Sequence, residues 1–134
     1  MLASKLRPAD LRFLVFFSSI AGRLGNRGQS DYAAANEIMN KLAQTLARSW
    51  SRRVVAINWG PWATLGMATA EIQRQFAERG MAVVPVESGR RMFVTELANG
   101  LQDDVEVVVA GGRAVSAVDA FGVSSWGRTT PRNP

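Results

Sequence analysis

Few side chains in this sequence can do chemistry, and those that can stand close together. The chain has no His and no Cys. That removes the commonest general base and the thiolate nucleophile. What remains is a hydroxyl pair, Ser18 and Ser19, closing an apolar run. Tyr32, the single tyrosine, follows Ser19 by 13 positions, and Asn36 follows Tyr32 by four. Hydroxyl and phenol groups both donate and accept hydrogen bonds, and tyrosine also transfers protons. A spacing of four puts Tyr32 and Asn36 on one helix face. Residue type alone leaves two readings open. One is a reactive cluster at a crevice; the other is a capped strand end beside an ordinary helix-start tyrosine.

The elements that must position these groups follow from hydrophobic patterning. Residues 11–17 are almost continuously apolar, as in a parallel strand covered on both faces. Their C-terminal end carries the serines, at the edge where open α/β sheets place ligands. Residues 20–31 hold Gly22, Gly25 and Gly28, at intervals of three, with no hydrophobic period, and read as a loop. The glycines do not spell GxGxxG, and backbone freedom in a loop is their ordinary role. Asp31 is a candidate cap for a helix over 32–49. Ala35, Ile38, Met39, Leu42 and Leu46 form its apolar stripe, and Glu37 and Lys41 a favourable i,i+4 pair. Residues 54–59 read as a second strand, so a right-handed crossover is expected. Gly60, Pro61 and Trp62 then end at the same edge as the serines. A short amphipathic helix is expected over 69–79. Another, over 88–99, has Ser88 as its cap and Gly100 as its stop. A third strand is expected over 105–110.

Three segments in order, FFSSIAG, GNRGQSDYAAAN and NWGPW, resemble the short-chain dehydrogenase/reductase family. In detail they resemble the ketoreductase domain of polyketide synthases and polyunsaturated fatty acid synthases. The resemblance covers roughly residues 2–112. It implies an α/β fold: the C-terminal part of a Rossmann-type doubly wound sheet, with three parallel strands and crossover helices. It implies that residues 1–112 are the later portion of such a domain and 113–134 a poorly ordered tail or linker. Ser19 would orient a substrate carbonyl, and Tyr32 would protonate its oxygen as hydride arrives from NADPH. Asn36 would help hold the active-site water and lysine network. Most short-chain reductases place that lysine four residues after the tyrosine. Asn36 stands there, as in polyketide ketoreductases, whose lysine lies on the helix before the serine strand and would fall upstream of Met1. Gly60, Pro61 and Trp62 match the loop facing the nicotinamide carboxamide. Leu24, Gln29 and Met67 fall on the substrate side, and the 69–79 helix matches a lid. The diphosphate-binding glycine turn of the family is not in this sequence.

The resemblance thus implies an NADPH-dependent β-ketoacyl thioester reductase acting on acyl carrier protein substrates, present as a truncated domain. It also leaves a non-catalytic or complementing half-domain, needing an N-terminal partner or a neighbouring chain. A third reading is a short-chain reductase for a free small substrate, which Asn36 in place of lysine disfavours. Composition excludes other classes. The formal charge is +5, from 14 Arg and 2 Lys against 11 acidic residues. The arginines are dispersed, which reads as solvated surface and not as a nucleic-acid footprint. No apolar run is long enough to span a membrane. Scattered carboxylates without His or Cys make no zinc site. A reducing, cytoplasmic setting is the expectation from the lack of cysteine.

Overall fold

The computed structural model describes residues 5–63, 70, 74, 78, 82–111 and the backbone of 113–116. A short 3-10 turn, Pro8–Asp10, leads into strand β1, Phe13–Ser19. Helix α1, Ile20–Leu24, follows at once, then helix α2, Ser30–Ser49. Strand β2 is Arg53–Trp59, helix α3 is Val86–Asn99, and strands β3 and β4 are Glu106–Ala110 and Arg113–Ser116. One sheet contains the strands in the order β1-β2-β3-β4. The first three are parallel, as the apolar runs imply, and β4 returns antiparallel to β3. Gly111, at φ 55°, makes that reversal, a conformation glycine adopts without a Cβ penalty. Residues 113–116, assigned to the tail by the sequence reading, are therefore a paired strand.

The sheet has two unlike faces. Side chains alternate along each strand, so one face presents Val55, Ile57, Trp59, Val107 and Val109. These are buried together with Val84, and Val15, Trp62, Met92 and Phe93 pack against them. Phe93 and Met92 come from α3, which covers this side. The other face presents Val54 and Ala56 to Ala43 of α2, with Leu14, Phe16, Leu46, Ala47 and Trp50 around them. The two helices thus lie on opposite faces, which is the doubly wound arrangement.

Three local expectations need correction. The stretch after Ser19 is not loop throughout. Ser19 accepts a hydrogen bond from Ala21 N–H at 3.2 Å, and that cap starts α1. Gly25, at φ 67°, ends it. Asp31 is not the cap of α2, because the helix begins one residue earlier with Gln29 at the N-cap. Asp31 sits in the first turn, where a carboxylate still favours the positive end of the helix dipole. Ser88 is likewise inside the first turn of α3, whose N-cap is Pro85. Of the expected helix over 69–79 only Ala70, Arg74 and Glu78 are described, and all three are helical; its other positions lie outside the described residues.

Helix α2 also turns a different side inward from the one its apolar stripe suggests. Its buried residues are Asn36, Asn40 and Ala43. Ile38 is 66% exposed, and Ala35 is exposed too. The sheet surface beneath α2 carries polar groups from Ser18, Asn58 and Glu106, all buried. The helix answers them with its amide side chains, and much of the apolar stripe is left uncovered by the described residues.

Candidate functional site

Ser19 ends β1 and pairs in register with Trp59 at the end of β2. Gly60, Pro61 and Trp62 therefore leave the sheet beside the serine, on the next strand. Three backbone hydrogen bonds hold this loop. Gly60 N–H donates to Val109 O at 2.8 Å, Val84 N–H to Pro61 O at 2.7 Å, and Ala63 N–H to Val84 O at 2.9 Å. Gly60 and Pro61 are buried.

The tyrosine helix is tied to the serine strand by the neighbouring serine. Ser18 Oγ donates to the carbonyl of Asn36 at 3.1 Å, in the protein interior. Asn36 in turn donates from Nδ2 to the carbonyl of Tyr32 at 2.8 Å. The chain of contacts runs from the end of β1, through α2, to the backbone of the tyrosine one turn earlier. Tyr32 itself is 37% exposed, whereas Asn36 is 4% exposed. The phenol is open to a ligand while its helix turn is fixed. Ser19 uses Oγ as an acceptor from Ala21, which leaves its O–H free to donate.

Close packing brings α1 against α2. A Cβ on Gly22 would stand 2.9 Å from the Glu37 amide nitrogen and 3.0 Å from Asn36 Cβ. Gly22 thus serves contact between helices, unlike Gly25 and Gly28, whose φ angles of 67° and 76° need glycine. The second substrate-side candidate, Gln29, holds the turn before α2. Its Oε1 accepts from Asn26 Nδ2 at 2.7 Å, and its N–H donates to Asn26 O at 3.0 Å. Leu24 is 42% exposed at the end of α1. Met67 lies outside the described residues.

Sequence reasoning missed the polar cluster under α2. Arg23 of α1 meets two carboxylates: Glu37 Oε1 at 3.3 Å and, from Nε, Glu106 Oε2 at 3.4 Å. Glu106 Oε2 accepts no hydrogen bond from the described residues, so Arg23 faces it as a charge and not as an aligned donor. Gln44 donates to the other oxygen of Glu106. Lys41 Nζ lies 3.1 Å from Glu37 Oε1, as the i,i+4 spacing implies. Burial pushes the Glu37 carboxyl upward. Hydrogen bonds from Asn40 and Lys41, with the charges of Lys41 and Arg23, outweigh that and hold it below the usual carboxylate value. The available signal was the run Asn36, Asn40, Gln44 at intervals of four. Among the described residues no group of acidic residues is placed to hold a metal ion, and no helix is long and apolar enough to cross a membrane.

The residues present fit one end of a dinucleotide and not the other. At the Gly60–Trp62 loop, which follows the strand paired with the one ending in Ser19, Trp62 N–H has no partner among the described residues. No comparable cradle for a diphosphate exists among them. Gly22 is packed on α2, and α1 is a helix of five residues.

Comparison with known proteins agrees with this geometry. Residues 1–64 match the family model of the KR domain. Over 81 residues the chain is 47% identical to a polyunsaturated fatty acid synthase of Thraustochytrium, covering 60% of this chain and 3% of that protein. Over 125 residues it is 42% identical to the polyketide synthase GfsA of Streptomyces halstedii, covering 93% of this chain and 2% of that protein. Among solved structures, the ketoreductase from the first phoslactomycin module of a Streptomyces species superposes with a TM-score of 0.67 at 36% identity. That match covers 81% of this chain and 25% of the other. The chain thus spans only a few per cent of the curated relatives' length.

Proposed function

Because this chain carries the sequence and fold of a ketoreductase (KR) domain segment of polyketide synthase type, we propose that it supplies the substrate and nicotinamide side of an NADPH-dependent β-ketoacyl thioester reductase. The substrate class is a β-ketoacyl group on an acyl carrier protein. The observation that carries this reading is the tie from Ser18 Oγ to the Asn36 carbonyl and from Asn36 Nδ2 to the Tyr32 carbonyl. It fixes the tyrosine turn against the strand that ends in Ser19. Ser19 donates its O–H to the substrate carbonyl, with Oγ held in place by Ala21 N–H. Tyr32 delivers a proton to the same oxygen from its exposed phenol. The nicotinamide, when bound, supplies hydride to the carbonyl carbon. Trp62 N–H and the loop before it face the carboxamide end. Asn36 keeps the Tyr32 turn in place and leaves Oδ1 for a water. Leu24, Gln29 and Met67 border the acyl group.

A second reading, a half-domain completed by another chain, is favoured by one observation. Strand β1 lies at the end of the described sheet, with Phe13 43% and Phe17 58% exposed. An apolar edge strand with no charged residue inside it invites a partner. The two readings meet in one experiment. The purified chain is assayed for NADPH oxidation with a simple β-ketoacyl thioester, alone and with a separate chain carrying the diphosphate-binding part of a ketoreductase. The expected result is no detectable turnover alone, and turnover on mixing that falls about 10²–10⁴-fold in Tyr32→Phe, the usual worth of general acid help. Turnover that Tyr32→Phe leaves intact refutes the assignment of the tyrosine.

A further inference from the structure

Gly89 lies inside α3, on an ordinary helical backbone, yet glycine is among the poorest helix residues. No unusual φ angle there calls for it. The reason is space: a Cβ built on Gly89 would overlap the six-membered ring of Trp62 at Cη2 and Cζ3, and would stand 3.2 Å from Val84 Cγ1. Trp62 can lie on α3 only because position 89 has no side chain.

The ring that rests there belongs to a series of aromatic contacts. Trp62 meets Trp59 at 4.7 Å between centroids, Trp59 meets Phe17 at 6.0 Å, and Phe17 meets Phe93 of α3 at 5.3 Å. Trp59 Nε1 is buried without an acceptor among the described residues, so packing is what they supply to orient that indole. Phe17 is two residues before Ser19, and Trp62 ends the loop beginning at Gly60. A small shift of Trp62 on α3 is therefore passed to the loop directly and to the serine strand through Trp59 and Phe17.

We propose that Gly89 is a positioning residue for the 60–62 loop, acting through Trp62. It touches no reacting group. It sets the height of the Trp62 ring on α3, and with it the place of the Trp62 amide in the loop. Its link to catalysis rests on the reading of that loop as the nicotinamide side; its link to the loop does not.

The test is Gly89→Ala, alone and combined with Trp62→Leu, which removes the ring atoms that would clash. The chain has four tryptophans, so indole N–H resonances of the labelled protein report each site. Gly89→Ala is expected to lower the melting temperature and to move the Trp62 and Trp59 indole signals and the Gly60 amide. Trp50, on the opposite face, stays in place. In the Trp62→Leu background the same alanine is expected to be neutral or to raise the melting temperature, as helix propensity predicts. Should Gly89→Ala fail to fold alone but fold with Trp62→Leu, the proposal is supported. Failure in both backgrounds, or a raised melting temperature with Trp62 and Gly60 unmoved, overturns it. A titration with reduced nicotinamide mononucleotide then separates the two claims. Gly89→Ala is expected to weaken its effect on the Gly60 and Trp62 amides at least about fivefold. If the unaltered chain shows no effect on those amides, the nicotinamide reading falls while the packing result stands.

Discussion

The two faces of this sheet are built on opposite plans. Under α3 the core is dry: Val55, Ile57, Val84 and Val109 are fully buried, and among the described residues of this face the one orphaned side-chain polar atom is the Trp59 indole nitrogen. Under α2 the buried set includes Ser18, Asn36, Asn40, Asn58 and Glu106. Asn58 lies between strands with neither amide atom paired among the described residues. An apolar interior gains free energy with each area removed from water. Buried amides and carboxylates gain little net and cost much when unpaired. The dry face therefore holds the strands in register. The polar face contributes less stability, but among the described residues it carries the side-chain hydrogen bonds from the sheet to the tyrosine helix. Most of the stability and the tie to the tyrosine helix are assigned to different sides of the same three strands.

The largest effect that would test this division is on the dry face. Ile57 is fully buried at the centre of β2, between Phe17 of β1 and Val107 of β3 in the register. Ile57→Ala is expected to cost about 2–5 kcal/mol, the range for truncating a buried aliphatic side chain where neighbours cannot collapse. Urea unfolding followed by tryptophan fluorescence measures it. A loss under about 1 kcal/mol would mean that this face is not the principal core.

The dry face was also the more legible one. The runs FLVFF and VVAIN can be little else than covered strands, and parallel order followed from the helix between them. The candidate site residues were picked by motif: Ser19 ends β1, Tyr32 and Asn36 lie in the first two turns of α2, and the 60–62 loop follows β2. The inner side of α2 was not legible. Hydrophobic periodicity picks the stripe through Ile38 and Leu42, because it assumes that the facing surface is apolar. Ser18, Asn58 and Glu106 make that surface polar, and contacts between residues 62 positions apart, such as Gln44 and Glu106, leave no local pattern. The short helix after Ser19 was missed for a related reason. Three glycines read as loop, although Gly22 is there for helix contact and only the later two for backbone conformation.

An intermediate effect is expected on the polar face. Arg23, with a side chain 13% exposed, is the shared cation of Glu37 and Glu106. Arg23→Met keeps much of the packing and removes the charge. Glu106, whose side chain is 7% exposed, is then left with only the Gln44 amide near it among the described residues. Leaving a buried polar or charged group without its partner costs about 1–3 kcal/mol. The double variant Arg23→Met, Glu106→Gln should recover part of that loss, since the stranded charge is gone. Non-additivity in this cycle shows that the pair is coupled; simple addition of the two single effects would show that Arg23 and Glu106 act independently.

The smallest effect separates the faces by pH. Glu37 is held below the ordinary glutamate value of 4.5. Burial alone would raise it, but the Asn40 amide at 3.0 Å, Lys41 and Arg23 favour the charged form more strongly. A carboxyl whose folded value is depressed binds fewer protons folded than unfolded between the two values, so stability rises with pH there. Its contribution is complete above the unfolded value and disappears as pH falls through the folded one. The side chain is 31% exposed, so the contribution is modest and screened by salt. Urea midpoints of the unaltered chain and of Glu37→Gln are therefore expected to differ by a constant amount from about pH 7 to about 5, and to converge below 4.5. The gap caused by Ile57→Ala should stay level over the same range, because no proton is involved in burying an isoleucine. A Glu37→Gln gap that widens in acid would reverse the sign of the linkage, and with it the claim that Arg23 and Lys41 stabilise this carboxylate.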